Sequence, residues 1–306
     1  MNDTTSKNIE VRKAIVLGGM SDIAQEIIKE LFSSGWNITA TYSNTCPKDE
    51  SMDINWLRLT LVDGDIKASI KELSKKAYNW SLFISCIGTQ EPVGMMVDID
   101  VMEWIRGVNI NGPYQIAMLL GMLPYRDKLK ECSALFFAGG GTNNATPYYS
   151  AQTLGKINLI KAVELLDNEI GDVKCIVLGP GWVKTKIHQA TLDAGPELTG
   201  RNYFKTKDVM NGKIHVNSIT KVVNDVMLLL DLPRCLVGGR NFSSVHDDIS
   251  LDSLTQLHIR NPEFYRLKRL MNTSNDKHLQ QSAINRLIHY IWKKILGIGD
   301  SIRSSL

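Results

Sequence analysis

Tyr148-Tyr149-Ser150-Ala151-Gln152-Thr153-Leu154-Gly155-Lys156 brings two phenols, an amide and a cation into nine residues. A phenol titrates near pKa 10, so it exchanges protons near neutral pH only with a cation close by. On a helix that cation must stand about one turn away. Tyr149 has Thr153 four residues on, and Lys156 has Gln152 four residues back. One register removes the cation and the other removes the phenol.

Hydrophobic patterning supplies the frame that must hold these groups. Lys13–Leu17 is a short apolar run ending in Gly18-Gly19, and Ile23–Phe32 carries Ile23, Ile27, Ile28 and Leu31 at helical spacing. That is strand, glycine turn, helix. Gly35 closes the helix and Trp36–Tyr42 alternates as a second strand, which makes a βαβ unit. The pattern continues with strands over Leu57–Leu61, Leu82–Ile87, Ala134–Ala138 and Lys174–Leu178. Helices are expected over Ile66–Lys76, Val101–Leu123 and Tyr149–Asn168. Alternation of this kind predicts an α/β fold, a Rossmann-like doubly wound parallel sheet. Residues 1–250 are assigned to that domain and 251–306 to a basic helical C-terminal extension.

Composition narrows the class. The chain has 306 residues, 43% of them hydrophobic, enough for one large core. No segment reaches the roughly 18 apolar residues of a membrane span, and Met1–Lys13 has no apolar leader core, so a cytoplasmic location is expected. Five scattered cysteines without a C-x-x-C pair fit reduced thiols and predict no metal site. The formal net charge of +3 is unevenly spread, with the surplus in the last 50 residues. There Ile284, Leu287, Ile288, Ile291 and Ile295 repeat at helical spacing beside Arg286, Lys293 and Lys294. Such a helix docks on protein or lies on an anionic membrane surface, and protein is preferred. No nucleic-acid motif is present.

In Val16-Leu17-Gly18-Gly19-Met20-Ser21-Asp22-Ile23-Ala24 the exposed amides at the helix start suit a pyrophosphate, with Asp22 as the expected cap. With this turn, Ser85-Cys86-Ile87-Gly88, Val108-Asn109-Ile110-Asn111-Gly112 and Pro180-Gly181-Trp182-Val183-Lys184-Thr185 following in order, the chain resembles a divergent short-chain dehydrogenase/reductase. The likeness runs from about Lys13 to Asp247 and is similar to that of members associated with bacterial polysaccharide biosynthesis.

The resemblance implies an NAD(P)-dependent oxidoreductase acting on a carbonyl or hydroxyl, and a homo-oligomer. It implies a cofactor held by Gly18, Gly19, Ser21, Asp22, Ile23, Ser43, Gly88, Lys156, Pro180, Gly181, Val183 and Thr185. No carboxylate ends the second strand at Thr41-Tyr42-Ser43-Asn44, which favours NADP over NAD, although no arginine sits there either.

By the same resemblance Asn109 is the relay asparagine and Lys156 the ribose-binding lysine. The apolar positions after Lys156 favour this register, which puts Gln152 at the proton donor's place and Ala138 or Gly139 at the serine's. Tyr149 is then the candidate rescuing phenol, one turn upstream and roughly 10 Å along the helix from Lys156. Thr142, Asn143 and Asn144 are candidate substitutes for the serine. The basic loop carrying Lys184, Lys186 and His188, with Arg201 and Lys205 beyond, suits a polar small-molecule substrate such as a nucleotide sugar. The alternative is a catalytically weakened nucleotide-binding protein that acts by association.

Overall fold

A computed structural model describes residues 11–45, 47, 51–61 and 66–268. Within them, the apolar runs form β1 (Lys13–Leu17), β2 (Asn37–Tyr42), β3 (Ile54–Arg58), β4 (Leu82–Ser85), β5 (Cys132–Phe137), β6 (Val173–Gly179) and β7 (Arg240–Ser243). All pair in parallel, in the order β3-β2-β1-β4-β5-β6-β7. The strand order reverses between β1 and β4, where such sheets open a crevice at their carboxyl ends.

The strands alternate between two apolar faces. Val16, Ile38, Ile84 and Ile176 pack with α1 (Asp22–Ser33) and, further along the chain, the helix Ile219–Asp231. Ile15, Phe83, Phe136 and Cys175 face the other layer. That layer contains α2 (Ile66–Lys76), α3 (Val101–Asn111), α4 (Pro113–Met122) and α5 (Ser150–Glu169). Both faces are covered, as a parallel sheet requires. After β6 come α6 (Gln189–Thr199), α7 (Arg201–Met210), α8 (Ile219–Asp231) and the short α9 (Arg234–Val237); α10 (Leu251–Arg260) follows β7.

The helix expected over Val101–Leu123 is two helices. Gly112 adopts φ −145°, ψ −80°, and Pro113 starts α4, since proline lacks the N–H that would continue the ladder and disfavours helix at the residue before it. Gly112 also lets α3 approach α5, because a Cβ there would collide with the Gly155 carbonyl. The third strand lies three residues upstream of the expected Leu57–Leu61. Its register pairs Ile38 with Ile54 and Tyr42 with Arg58.

The compact unit continues past residue 250 to Leu267. Ser250 caps α10 by accepting from the Ser253 amide, and buried Leu254 and Phe264 join the core. The amphipathic stripe Ile284–Ile295 lies outside the described residues. Among those described, no helix is long and apolar enough to cross a membrane, and no group of histidines, cysteines or carboxylates is placed to hold a metal.

Candidate nucleotide site and catalytic centre

A cavity of about 980 Å³ opens where β1 and β4 part, with Gly18, Met20, Ser21, Ser43, Gly88 and Lys186 among its walls. The glycine turn is built for close approach. Gly18 sits at φ +69°, a region that costs residues with a Cβ, and a Cβ would stand 3.2 Å from the Cys86 carbonyl carbon. Its amide donates to Thr41 Oγ1 at 3.0 Å, fixing the turn against β2. Gly19 serves packing: a Cβ there would stand 2.7 Å from the Trp56 ring.

Asp22 was expected to cap the helix, but the cap is Ser21, whose hydroxyl accepts from the Ala24 amide at 3.2 Å. The Asp22 carboxylate accepts instead from the Lys186 amide at 2.7 Å, and Lys186 Nζ stands 3.8 Å from its other oxygen while donating to the Met20 carbonyl. The loop after β6 is thus fastened to the glycine turn. Ile23 packs against the core and does not line the cavity.

An arginine stands near the end of the second strand. The expectation that none sits there followed the chain past Ser43, whereas the sheet register brings Arg58 from β3. Arg58 Nε donates to the Ser43 carbonyl at 3.1 Å, beside the cavity wall formed by Tyr42 through Thr45.

At the other end, Lys156 is buried in α5 and donates from Nζ to the Ile87 carbonyl at 3.1 Å. Burial lowers its pKa from 10.5 to about 8. A Cβ built on Gly88 would stand 3.8 Å from Nζ and 3.6 Å from Asn111 Oδ1, so lysine and asparagine converge there. The asparagine is Asn111, two residues beyond the expected Asn109. Its Oδ1 accepts from the Thr89 amide at 3.1 Å and its Nδ2 donates to the carbonyls of Thr89 and Gly107. Asn109 is half-buried, and neither it nor Asn111 lines the cavity; Asn111 is distinguished by its place beside Gly88.

The register that faces Lys156 into the site agrees with the packing of Gly139. A Cβ on Gly139 would stand 3.1 Å from Lys156 Cγ and 3.9 Å from Gln152 Nε2. The Gly139 position is therefore flanked by the Lys156 stem and the Gln152 amide. Tyr149 does not join them: its buried hydroxyl bonds Thr191 Oγ1 of α6 at 2.8 Å, and burial raises its pKa. Asn143 and Asn144 are exposed, and Thr142 bonds the Gly139 carbonyl. None of the three lines the cavity.

The Pro180–Thr185 segment forms a positioned turn. Gly181 has φ +72°, the Pro180 carbonyl accepts from Asn217 Nδ2 at 2.9 Å, and Val183 is buried. Thr185 Oγ1 donates back to the Val183 carbonyl at 3.4 Å. Of the basic loop, Lys186 reaches the cavity wall, Lys184 is exposed, and His188 is buried and stacked on Trp182. Lys205 lies over the same indole at 4.6 Å. Cys86, burial of which pushes its thiol up to about 12, presents no negative charge to the cavity.

The cavity brings the Gly18 turn and Gly88 into one wall, with the Lys156–Asn111 pair behind Gly88, an arrangement of the kind that parallel sheets use for dinucleotides. Sequence reasoning missed Asn111, Arg58 and the anchoring role of Thr41.

No family model matches the chain. An uncharacterized oxidoreductase of Schizosaccharomyces pombe is 24% identical over 225 residues, 71% of this chain and 91% of that protein. A short-chain dehydrogenase/reductase from Saccharomyces cerevisiae superposes with a TM-score of 0.67 at 20% identity, covering 79% of this chain and 99% of that one. Thermoplasma acidophilum aldohexose dehydrogenase gives 0.65 at 16% identity, covering 79% and 97%. A Shigella flexneri short-chain dehydrogenase complexed with NADP gives 0.62 at 13% identity, covering 76% and 97%. At such identities the likeness is one of fold, and the chain has the Rossmann-like fold of the short-chain dehydrogenases/reductases.

Proposed function

We propose that this protein is an NADP-binding oxidoreductase of short-chain type, acting on a carbonyl or hydroxyl of a polar, sugar-derived substrate. The observation that carries the reading is the convergence of Lys156 Nζ and Asn111 Oδ1 on Gly88, which shares a cavity wall with the Gly18 turn. When bound, the nicotinamide supplies or accepts hydride. Lys156 binds the ribose, Arg58 reads the 2'-phosphate, and Asn111 keeps the loop at Thr89 in place. Two of the similar folds support the finer points, one by its NADP complex and one by its name as an aldohexose dehydrogenase. Exposed Val101, Met102 and Ile105 of α3 and Leu154 of α5 support self-association. A cytoplasmic location is part of the same reading.

A second reading is supported by one specific observation. The residue four before Lys156 is Gln152, and Gly139 packs on the Lys156 side chain, so neither of these positions supplies a phenol or hydroxyl, which suits a nucleotide-binding protein that acts by association. Calorimetric titration with NADP and NAD, followed by a hydride-transfer screen on sugars and sugar nucleotides, separates the two. Binding with turnover supports the enzyme, binding without turnover supports association, and absence of binding removes both.

A further inference from the structure

At the opposite edge of the sheet, where β7 begins, a second cavity of about 500 Å³ is walled by Asp167, Arg234, Arg240, His258, Glu263 and Arg266, among others. Three guanidiniums and an imidazole here face two carboxylates, and the carboxylates are engaged. Asp167 pairs with Arg234 at 3.3 Å and accepts from the Cys175 amide, while Glu263 pairs with Arg266 at 2.8 Å. Arg234 caps the end of α5 through the carbonyls of Asp167, Ile170 and Gly171.

Arg240 is different. It is 3% exposed, and it has no carboxylate in ion-pair range among the described residues. Its terminal nitrogens donate to the carbonyls of Gly238 and Pro262, at 2.8 and 2.7 Å, and its guanidinium lies 4.5 Å over the Phe264 ring. The Asp167 and Glu263 carboxylates act on it from beyond ion-pair range, and a buried cation held in direct contact by carbonyl dipoles and a ring face is costly. Burial and the nearby Arg266 charge both lower its pKa. Three nitrogens at this wall, Arg240 Nε, Arg266 Nε and His258 Nδ1, are buried without a hydrogen-bond partner among the described residues. Buried polar atoms normally find partners, so three around one cavity point to a missing acceptor.

We propose that this cavity is an anion-binding site, taking an oxyanion of a small molecule, a phosphate or a carboxylate, against Arg240 and Arg266. Guanidinium groups suit both anions through their planar donor fork. The site lies on the far edge of the sheet from the glycine turn and is independent of what that turn binds.

Calorimetric titration of the full chain with inorganic phosphate, and separately with acetate, tests this. Saturable uptake is expected in wild type and at least a ten-fold loss in Arg266→Gln, a substitution at a partly exposed position. His258→Gln is the second variant, with a smaller loss. Lys75→Gln, at an exposed lysine of α2 that lines neither cavity, should bind as wild type does. Uptake of phosphate alone identifies a phosphoester ligand, and uptake of acetate as well identifies a carboxylate. Uptake unchanged in both Arg266→Gln and His258→Gln, or lost in Lys75→Gln, would overturn the proposal, as would the absence of saturable uptake in wild type.

Discussion

The Tyr149 hydroxyl donates to Thr191 Oγ1 at 2.8 Å, and Thr191 in turn donates to Gln90 Oε1 at 2.7 Å. The phenol nearest the lysine on the chain is therefore spent on joining α5 to α6. Tyr149→Phe should leave any hydride-transfer rate within about two-fold and cost about 1 kcal/mol, the usual worth of one hydrogen bond. Thermal unfolding and steady-state kinetics on the same samples check this. A rate loss of a hundred-fold would restore Tyr149 as the proton donor.

The chain of bonds runs on to His188. The Val183 carbonyl can only accept, so His188 Nε2 donates to it at 3.0 Å, and Nδ1 accepts from Gln90 Nε2 at 3.4 Å. A second proton on Nδ1 would face that N–H donor. Burial holds the His188 pKa below the ordinary histidine value. In the window between the two values the unfolded chain binds more protons, so stability is lost as pH falls through it. Amide protection factors in α6, corrected for the intrinsic exchange rate, should therefore fall on acidification below about pH 6.5, the unperturbed histidine value, and the effect should vanish in His188→Gln. Equal pH dependence in the two proteins would refute it.

Lys156 sets a second pH dependence. With a folded pKa of about 8 against an ordinary 10.5, the folded state prefers the neutral amine. Unfolding free energy should rise as pH climbs from about 8 toward the ordinary lysine range, because the unfolded chain holds the extra proton there. Dinucleotide affinity should fall over the same interval as the ammonium is lost. Denaturant melts and binding titrations of wild type and Lys156→Met, which lacks the titrating group, check both slopes.

Arg58→Gln should weaken NADP about ten-fold, near the worth of one charge-assisted hydrogen bond, and leave NAD within about two-fold. Parallel titrations decide, and equal loss for both cofactors would show that Arg58 only braces the Ser43 carbonyl.

Gln152→Tyr returns a phenol to the position four residues before Lys156. Turnover should rise by at least ten-fold, at the modest end for a positioned acid or base. Adding Gly139→Ser should help less, since its Cβ comes within 3.1 Å of Lys156 Cγ. A rate unchanged by Gln152→Tyr would point away from a missing proton donor as the limiting defect.

The sheet was legible because period-two and helical patterns are local. Val16, Ile38 and Ile84 declare buried strands, and Gly18 declares the turn. The site was less so. Asn109 and Asn111 flank one isoleucine, and only the rotation of α3 against Thr89 and Gly88 chooses Asn111. Arg58 enters through the pairing of β2 with β3, and sequence distance hides that relation. Tyr149 finds Thr191 forty-two positions away, so its helix-face periodicity says where it starts but not what it touches. The cap passed from Asp22 to Ser21 because a loop 164 residues later takes the carboxylate.

That loop anchor bears on kinetics. Lys186 holds the glycine turn by its amide on Asp22 and by its ammonium on Met20, and the same residue walls the cavity. A ligand bound against Lys186 would then leave more readily once both attachments part. Residence time is then governed by loop release, and Lys186→Ala should shorten it more than it weakens the equilibrium grip.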